Sequence, residues 1–412
     1  MNFSLKPLKH IASLNDDVLG EATSADMPVR YAEVSDISQG ETIRWKNSMP
    51  FGQVPSRARR LVRHGDILVS TVRTYLRAVT RVEQPPRGAV VSTGLAVVRS
   101  KTGDPRYLGY VLQADDFIDQ VVSRSVGVSY PAISSNEIAR IRVPFPDAEL
   151  QSAIADFLDH ETAEIDEFIA DFARLINLTR EHTQAHISRL MNHSQQRGDQ
   201  KKTQLGRVIR INQGQVDPRV LPFSSWPLIA PNHIEPRTGR LREVPSAEAQ
   251  AAESGKYIVK PGQIVYSKIR PALMKATRVD FSALSSADMY AMDANPRWLS
   301  NDYLLEYLLS PLFENYAVTM SDRVAMPKLN RDTLSQAPIA LPDLGVQKEI
   351  VLAARKSRWK HQVLEEEANI AINLARERRA ALISAAVAGQ IDVTQKRKPV
   401  AAVLEDEVGV RV

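Results

Sequence analysis

Two long segments of the chain have the apolar spacing of helices that are longer than an ordinary globular domain needs. No proline or glycine occurs between Asp147 and Gly198, or between Gly345 and Gly389. In the first segment apolar residues recur in steps of three and four, close to the 3.5-residue repeat of coiled coils, and the second segment repeats this more weakly. We predict two long helices, 147–193 and 343–389, with coiled-coil and subunit-docking positions at Ile165, Ile169, Phe172, Ile176, Ile187, Val363, Ile370 and Leu374.

Shorter patterns on the N-terminal side of each long helix predict strands mixed with short helices. Segments 66–70 and 263–267 follow a glycine and are rich in strand-forming residues. Apolar residues three or four apart predict helices over 107–122 and 303–316. The prolines just before each long helix favour an extended chain there, because the residue before a proline avoids the helical region. Each segment is therefore predicted to be an α/β domain.

An internal repeat organises the whole sequence. Positions 65–82 align without gaps on 262–279, with eight identities in eighteen positions. The offset changes from 197 to 196 farther on, where Pro131 matches Pro327. Two copies of a domain and its helix favour a pseudo-two-fold axis, which would pair the helices antiparallel. The predicted class is α+β, with domains at 1–146 and 204–342, helices at 147–193 and 343–389, a linker at 194–203 and a tail at 390–412.

Composition and charge narrow the class of protein only slightly. Lysine and arginine number 53 against 48 acidic residues, so the net charge is +5 and the chain can approach phosphates without repulsion. The absence of cysteine excludes disulfides, cysteine-ligated zinc, iron–sulfur clusters and a cysteine nucleophile. No apolar run approaches the ~20 residues of a membrane span, and residues 1–10 lack the apolar core of a signal peptide. We therefore expect a cytoplasmic protein.

Basic residues cluster in the same part of both repeats. Segment 57–81 holds seven arginines, and the matching part of the second copy is also basic. Arginine suits phosphate forks and bidentate contacts to guanine, and the alternative for these basic segments is a solvated face. The loops at 129–131 and 325–328 could also reach bases or phosphates, and their alternative is a capped turn. The candidate DNA-binding residues are Arg57, Arg59, Arg60, Arg63, Arg73, Arg77, Ser129, Tyr130, Lys268, Arg270, Lys275, Arg323 and Lys328.

Motifs that would indicate catalysis are missing from the sequence. It contains no phosphate-binding P-loop, no dinucleotide-binding glycine pattern after a strand, no nucleophile elbow and no adenine-methyltransferase tetrapeptide. His182 and His186 lie one helical turn apart but have no third ligand nearby in the sequence. We predict no catalytic residues, no metal site and no enzymatic activity.

Two sets of residues give the sequence a family resemblance. The first is 144–159, with the sequence PFPDAELQSAIADFLD, followed by 165–169. The second copy has 341–350, then 379–384 and 389–392, and each copy places a glutamine five residues after a proline. In these features the chain resembles the specificity subunit of type I restriction-modification systems, over about residues 5–392.

The resemblance implies a non-catalytic subunit that binds double-stranded DNA. Each domain would be a target-recognition domain that reads one half of a split, asymmetric site. The helices would set the spacing between the halves and dock methyltransferase and restriction subunits. This chain would hold no cofactor, since the methyl donor, ATP and Mg²⁺ belong to the partner subunits. The main alternative is a coiled-coil adaptor that binds proteins and does not recognise a DNA sequence.

Overall fold

The computed structural model describes residues 3–39, 42–196, 201–212, 214–321 and 327–393. Its contacts divide the chain into two units, one formed by 1–171 with 370–412 and the other by 172–369. Each unit contains an α/β domain and one half of each long helix. Strands combined with long helices confirm the predicted α+β class. Of the predicted linker, residues 197–200 lie outside the described residues, as do 394–412 of the predicted tail.

The first unit contains three small sheets and a layer of short helices. Its strands are β1 (Leu5–Pro7), β2 (Ala12–Leu14), β3 (Pro28–Ala32), β4 (Met49–Pro50), β5 (Ala58–Leu61), β6 (Ile67–Ser70), β7 (Val79–Arg81), β8 (Ala89–Ser92), β9 (Leu95–Ser100) and β10 (Arg142–Pro144). Its helices are α1 (Leu8–Ile11), α2 (Pro105–Gln113), α3 (Asp115–Ser123), α4 (Ser135–Arg140) and the N-terminal half of α5 (Ala148–Gln196).

Each four-stranded sheet of the first unit has a wholly buried strand in its interior, β6 in one sheet and β8 in the other. Sheet β2–β9–β6–β7 is antiparallel, and sheet β4–β3–β8–β5 contains one parallel pair, β3 with β8. Every residue of β6 is buried, as its run of apolar residues predicts. Gly65, just before β6, has φ of 85°, a conformation that glycine adopts at little cost. The pair β1–β10 joins the two ends of the domain.

The second unit repeats this plan. Its strands are β11 (Lys201–Gln204), β12 (Ile209–Ile211), β13 (Gln215–Val216), β14 (Leu228–Ile229), β15 (Lys256–Val259), β16 (Gln263–Ser267), β17 (Ala276–Val279), β18 (Ala283–Ser285), β19 (Met289–Ala294) and β20 (Pro338–Leu341). Its helices are α6 (Asn301–Leu308), α7 (Pro311–Thr319), α8 (Arg331–Gln336) and the N-terminal half of α9 (Leu344–Val387). The sheets are β12–β19–β16–β17, β13–β15–β18–β14 and β11–β20, so β11 occupies the end of the predicted linker.

The helices predicted over 107–122 and 303–316 are each two helices, and the prediction of a single helix was wrong. Ala114 is extended between α2 and α3, and the Asp115 N–H donates to Ser384 Oγ at 3.0 Å instead of to a helix carbonyl. In the second copy Ser310 caps α7, and Pro311 has no N–H to continue α6. The apolar spacing continues across both breaks and therefore does not show them.

The two long helices pack antiparallel, as the repeat predicts. They contain 49 and 44 residues, or about 73 and 66 Å at 1.5 Å per residue. In the first unit Ile383 and Val387 of α9 share an apolar core with Ile154 of α5. In the second unit Ile187 of α5 shares a core with Ile350 of α9. No helix among the described residues is both long and apolar enough to cross a membrane.

Of the eight predicted coiled-coil positions, six are buried or half-buried and two are exposed. Ile165, Ile176 and Ile187 are buried, and Ile169, Phe172 and Val363 are half-buried. Ile370 and Leu374 are 61% and 60% exposed, so their prediction as coiled-coil positions was wrong. The buried positions there are Ala368 and Ile372, two residues earlier. Alanine contributes little to an apolar pattern, so the larger exposed residues set the wrong register.

Candidate nucleic-acid interface

The first domain exposes two adjacent loops at one end of its sheets, 71–77 and 124–132, which we call the first loop pair. Thr71 N–H donates to Gly94 O at 2.9 Å, which fixes the chain just after β6. Val72 pairs with Ala132 in an isolated antiparallel bridge, and Val126 pairs with the same residue. The second loop is therefore closed on itself and attached to the first.

Arg73 stands at the junction of the two loops. Its backbone is left-handed, with φ of 49°, and its N–H donates to Pro131 O at 2.8 Å. Its guanidinium lies over the ring of Tyr130, 4.8 Å from the centroid. Ser129 and Tyr130 are exposed at the tip of the second loop, between Val128 and Pro131. The structure therefore brings Arg73, Ser129 and Tyr130 into one exposed surface.

Most other arginines of the basic segment are held by acceptors within the protein. Arg60 donates to Leu95 O, and burial lowers the pKa of Arg60. Arg59 donates to Ser56 O at 3.1 Å and lies over the Phe51 ring. These contacts leave Arg59 and Arg60 fewer donors for an external ligand.

Arg63 and Arg77 form ion pairs. A third arginine, Arg57, is exposed near the loops. Arg63 pairs with Asp17 at 2.8 Å while remaining 66% exposed, and Arg77 pairs with Asp115. Arg57 is exposed, and its carbonyl accepts from Thr93 N at 2.8 Å. Because Thr93 precedes Gly94, this bond places Arg57 at the same end of the domain as the first loop pair.

The second domain has the same backbone frame at the equivalent place. Arg270 is left-handed, with φ of 48°, and its N–H donates to Pro327 O at 2.9 Å. Ile269 bridges to Lys328, as Val72 bridges to Ala132 in the first domain. We call segments 268–274 and 327–329 the second loop pair. The internal repeat is thus preserved down to single hydrogen bonds.

The basic residues of the second domain differ in their accessibility. Arg270 and Lys328 are exposed, and Lys268 lies 6.0 Å from the centroid of the Tyr290 ring. Lys275 Nζ donates to Pro231 O at 2.6 Å, and burial is the main cause that lowers the pKa of Lys275. Arg323 lies outside the described residues. The exposed cations of this loop pair are therefore Arg270 and Lys328 among the described candidates.

The apolar surface of the first loop pair was not predicted from the sequence. Tyr75 and Leu76 are 55% and 53% exposed, and Val126 and Val128 are still more exposed. The sequence signal for Val126 and Val128 would have been that they flank Gly127 in a loop, where neither a buried strand nor a buried helix is expected. Exposed apolar side chains next to an arginine can contact DNA bases, in particular the methyl group of thymine.

The repeated glutamine links each long helix to its own domain. Gln151 is buried, accepts from Asp104 N at 3.0 Å and donates to Pro146 O at 2.7 Å. Gln347 is also buried, accepts from Ser300 N at 3.0 Å and donates to Pro342 O at 2.8 Å. The residue that supported the family resemblance therefore has a structural role, which is the same in both copies.

Comparisons with known proteins agree with this architecture. No family model matches the chain. It is 25% identical over 303 residues to the type I restriction enzyme EcoDI specificity subunit of Escherichia coli, covering 66% of this chain and 68% of that protein. A chain of a solved structure, described as the structural basis underlying complex assembly and conformational transition of the type I R-M system, matches with a TM-score of 0.69. That match is 20% identical and covers 95% of this chain and 98% of that chain.

A crystal structure of the HsdS subunit from Thermoanaerobacter tengcongensis also matches, with a TM-score of 0.47, 20% identity, and coverage of 95% of this chain and 97% of that one. The similarity to the E. coli protein is one of sequence, and the match at a TM-score of 0.69 is one of fold. Together they confirm the resemblance: the chain is similar in sequence to the specificity subunit of a type I restriction enzyme and similar in fold to a chain of a type I R-M system.

Proposed function

We propose that this chain selects the DNA site of a type I restriction-modification complex, and that each domain reads one half of a split, asymmetric site. The observation that supports this most directly is the repeated backbone frame around Arg73 and Arg270, which carries different side chains in the two copies. A shared frame would present both loop pairs to DNA in the same way. Different side chains on that frame would read different sequences.

The charges near the loop pairs suit a division between affinity and specificity. Phosphate contacts supply most of the affinity of such proteins, whereas a few side chains at base edges supply the specificity. Arg57 and Lys328 are exposed near the two loop pairs and are suited to phosphates. Arg73, Ser129 and Tyr130 form the surface suited to bases.

Partner subunits would dock on the helix pair. In the first unit Phe168, Ile370 and Leu374 are 44%, 61% and 60% exposed on the long helices. Ile370 and Leu374 are four residues apart and therefore neighbours on the helix surface, and contiguous exposed apolar side chains mark protein interfaces. We propose that methyltransferase subunits bind there, followed by restriction subunits. Those partners would bind the methyl donor, ATP and Mg²⁺, and this chain would hold no cofactor.

Methylation mapping in a bacterial host tests the proposal. The host would carry this gene with the gene of its methyltransferase subunit, and a matched host would lack only this gene. We expect a split, asymmetric methylated motif that disappears when this gene is deleted. Unchanged methylation would contradict the proposal and favour the adaptor that binds only proteins.

A further inference from the structure

Arg73 differs from its neighbouring arginines in what its guanidinium contacts. Arg60 donates to a carbonyl, and Arg63 and Arg77 pair with carboxylates. Within the described residues, the Arg73 guanidinium has no hydrogen-bond acceptor, and its contact is the ring of Tyr130 at 4.8 Å. All five of its N–H donors are therefore available to an external ligand.

The positions of both partners in this stack are fixed by their backbones. Arg73 is attached to Pro131 O through its own N–H. Thr74 Oγ1 and Ser125 Oγ are 2.8 Å apart, so a side-chain hydrogen bond also joins the two loops. Tyr130 belongs to the loop that the bridge of Val126 to Ala132 closes. A guanidinium held on such a frame loses less conformational entropy when it binds than one on a free surface.

We propose that Arg73 reads a guanine in the half-site of the first domain, and that Tyr130 orients its guanidinium for this contact. Guanine presents O6 and N7 as adjacent acceptors in the major groove, and a guanidinium donates to both. Stacking on an aromatic ring uses the face of the guanidinium and leaves its N–H edge free. A phosphate contact would not need this orientation. The inference rests on the proposed function.

Replacing single guanines by 7-deazaguanine tests this inference, because that base lacks the N7 acceptor. Affinity would be measured for the full chain in complex with its methyltransferase subunits, with one guanine of the first half-site replaced at a time. For the wild-type complex we expect a loss of about tenfold or more at one guanine. For Arg73→Ala, affinity for unmodified DNA should fall by a similar factor, and replacing that same guanine should then have no further effect.

Three variants serve as controls. Arg270→Ala removes the arginine of the same left-handed position in the second domain, so it should leave the sensitivity of the first half-site unchanged. Tyr130→Phe keeps the ring that stacks on the guanidinium, so it should keep the sensitivity to replacement of that guanine. Tyr130→Ala should lose part of the sensitivity, because the guanidinium is no longer oriented. A preserved preference for the second half-site would show that the Arg73 and Tyr130 variants are folded and assembled, and a preserved preference for the first half-site would show the same for Arg270→Ala.

Two outcomes would overturn the inference while leaving the proposed function intact. One is a first half-site without any guanine that is sensitive to the replacement. The other is an Arg73→Ala complex that remains sensitive to the same guanine, which would make Arg73 a phosphate contact. A wild-type complex without any site preference would instead overturn the proposed function and this inference with it.

Discussion

Gln151 and Gln347 show how one polar residue can join a long helix to a globular domain. Each side chain accepts from the N-cap residue of a short helix, Asp104 or Ser300, and donates to the proline carbonyl before the long helix. Gln151 and Gln347 are 1% and 0% exposed, so water cannot readily replace their hydrogen bonds without opening the domain. Buried polar groups that lose a partner are costly, which makes these bonds more important than exposed ones.

Gln151→Ala should lower the free energy of unfolding of the first unit by about 1–3 kcal/mol, because the Asp104 N–H and the Pro146 carbonyl lose their partner. The measurement is urea unfolding of the full chain. Gln53→Ala is the matched control, since Gln53 is an exposed glutamine of the same domain. Equal stability of the two variants would contradict the structural role of Gln151.

A second pair of positions shows that the two copies solve one packing problem with different chemistry. In the second unit Arg358 of α9 pairs with Glu306 of α6, which is 1% exposed, and burial lowers the pKa of Arg358 to about 10. At the corresponding positions of the first unit, Tyr110 and Thr162 have their hydroxyl oxygens 3.2 Å apart. An ion pair and a hydroxyl pair thus occupy the same place in the repeat.

Arg358→Met should destabilise the second unit by about 3–5 kcal/mol, because it leaves the Glu306 carboxylate buried without its partner. The double variant Glu306→Tyr with Arg358→Thr, which copies the first unit, should lose much less. Thermal or urea unfolding of both variants provides the comparison. A double variant as unstable as the single one would show that the two places are not interchangeable.

For single residues, the sequence predicted which positions of the two copies are equivalent better than it predicted which side chains are free to bind a ligand. The alignment of repeats paired Arg73 with Arg270, and the structure gives both the same backbone conformation. The arginine cluster did not reveal that Arg60 and Arg77 would bond within the protein. Their partners, Leu95 and Asp115, are distant in the sequence, so only the folded chain brings them together.

At the scale of elements, the long helices have one face that packs against the partner helix and another that is exposed to solvent. The buried face of α9 includes Ala368, Ile372 and Ile383, whereas Ile370 and Leu374 point to solvent. Because small alanines allow the helices to pack closely, the apolar residues that remain exposed are not needed for this packing. We therefore expect stability and partner binding to depend on different residues of α9.

Ile383→Ala should lower the free energy of unfolding by about 2–5 kcal/mol, because Ile383 is fully buried among residues of α5 and the first domain. Ile370→Ala with Leu374→Ala should change stability little and should weaken binding of the methyltransferase subunit. Unfolding of the free chain and titration with the partner measure the two effects. A large loss of stability in the double variant would contradict the exposed location of these residues.

Helix length and the antiparallel pairing were predictable, because the absence of proline and glycine and the internal repeat are direct signals. Helix breaks and the register of α9 were not predictable. The breaks at Ala114 and Ser310 depend on tertiary hydrogen bonds and capping, to which apolar spacing is insensitive. The register of α9 depends on small residues, which have a weak apolar signal.

For the molecule as a whole, the modest net charge of +5 means that DNA affinity would depend on local groups of cations. Arg57 is exposed at the loop-pair end of β8, since its carbonyl bonds to Thr93 just after that strand. Arg87 is exposed just before the other end of β8. The two arginines thus have the same charge but different locations relative to the proposed DNA surface.

Arg57→Ala should reduce the slope of log affinity against log salt concentration by about 0.9, the value for one phosphate contact on duplex DNA. The reduction should be the same on the recognised site and on unrelated DNA, because phosphates carry no sequence information. Arg87→Ala should leave the slope unchanged. A change in sequence preference for Arg57→Ala, or equal slopes for the two variants, would contradict the proposed orientation.

The most direct test of the central claim is to replace residues 1–146 with the corresponding domain of another specificity subunit and to map the methylated sites. If each domain reads its own half-site, one half of the methylated motif should change and the other half should remain as in the wild type. A motif in which both halves change, or neither does, would contradict separate reading by the two domains.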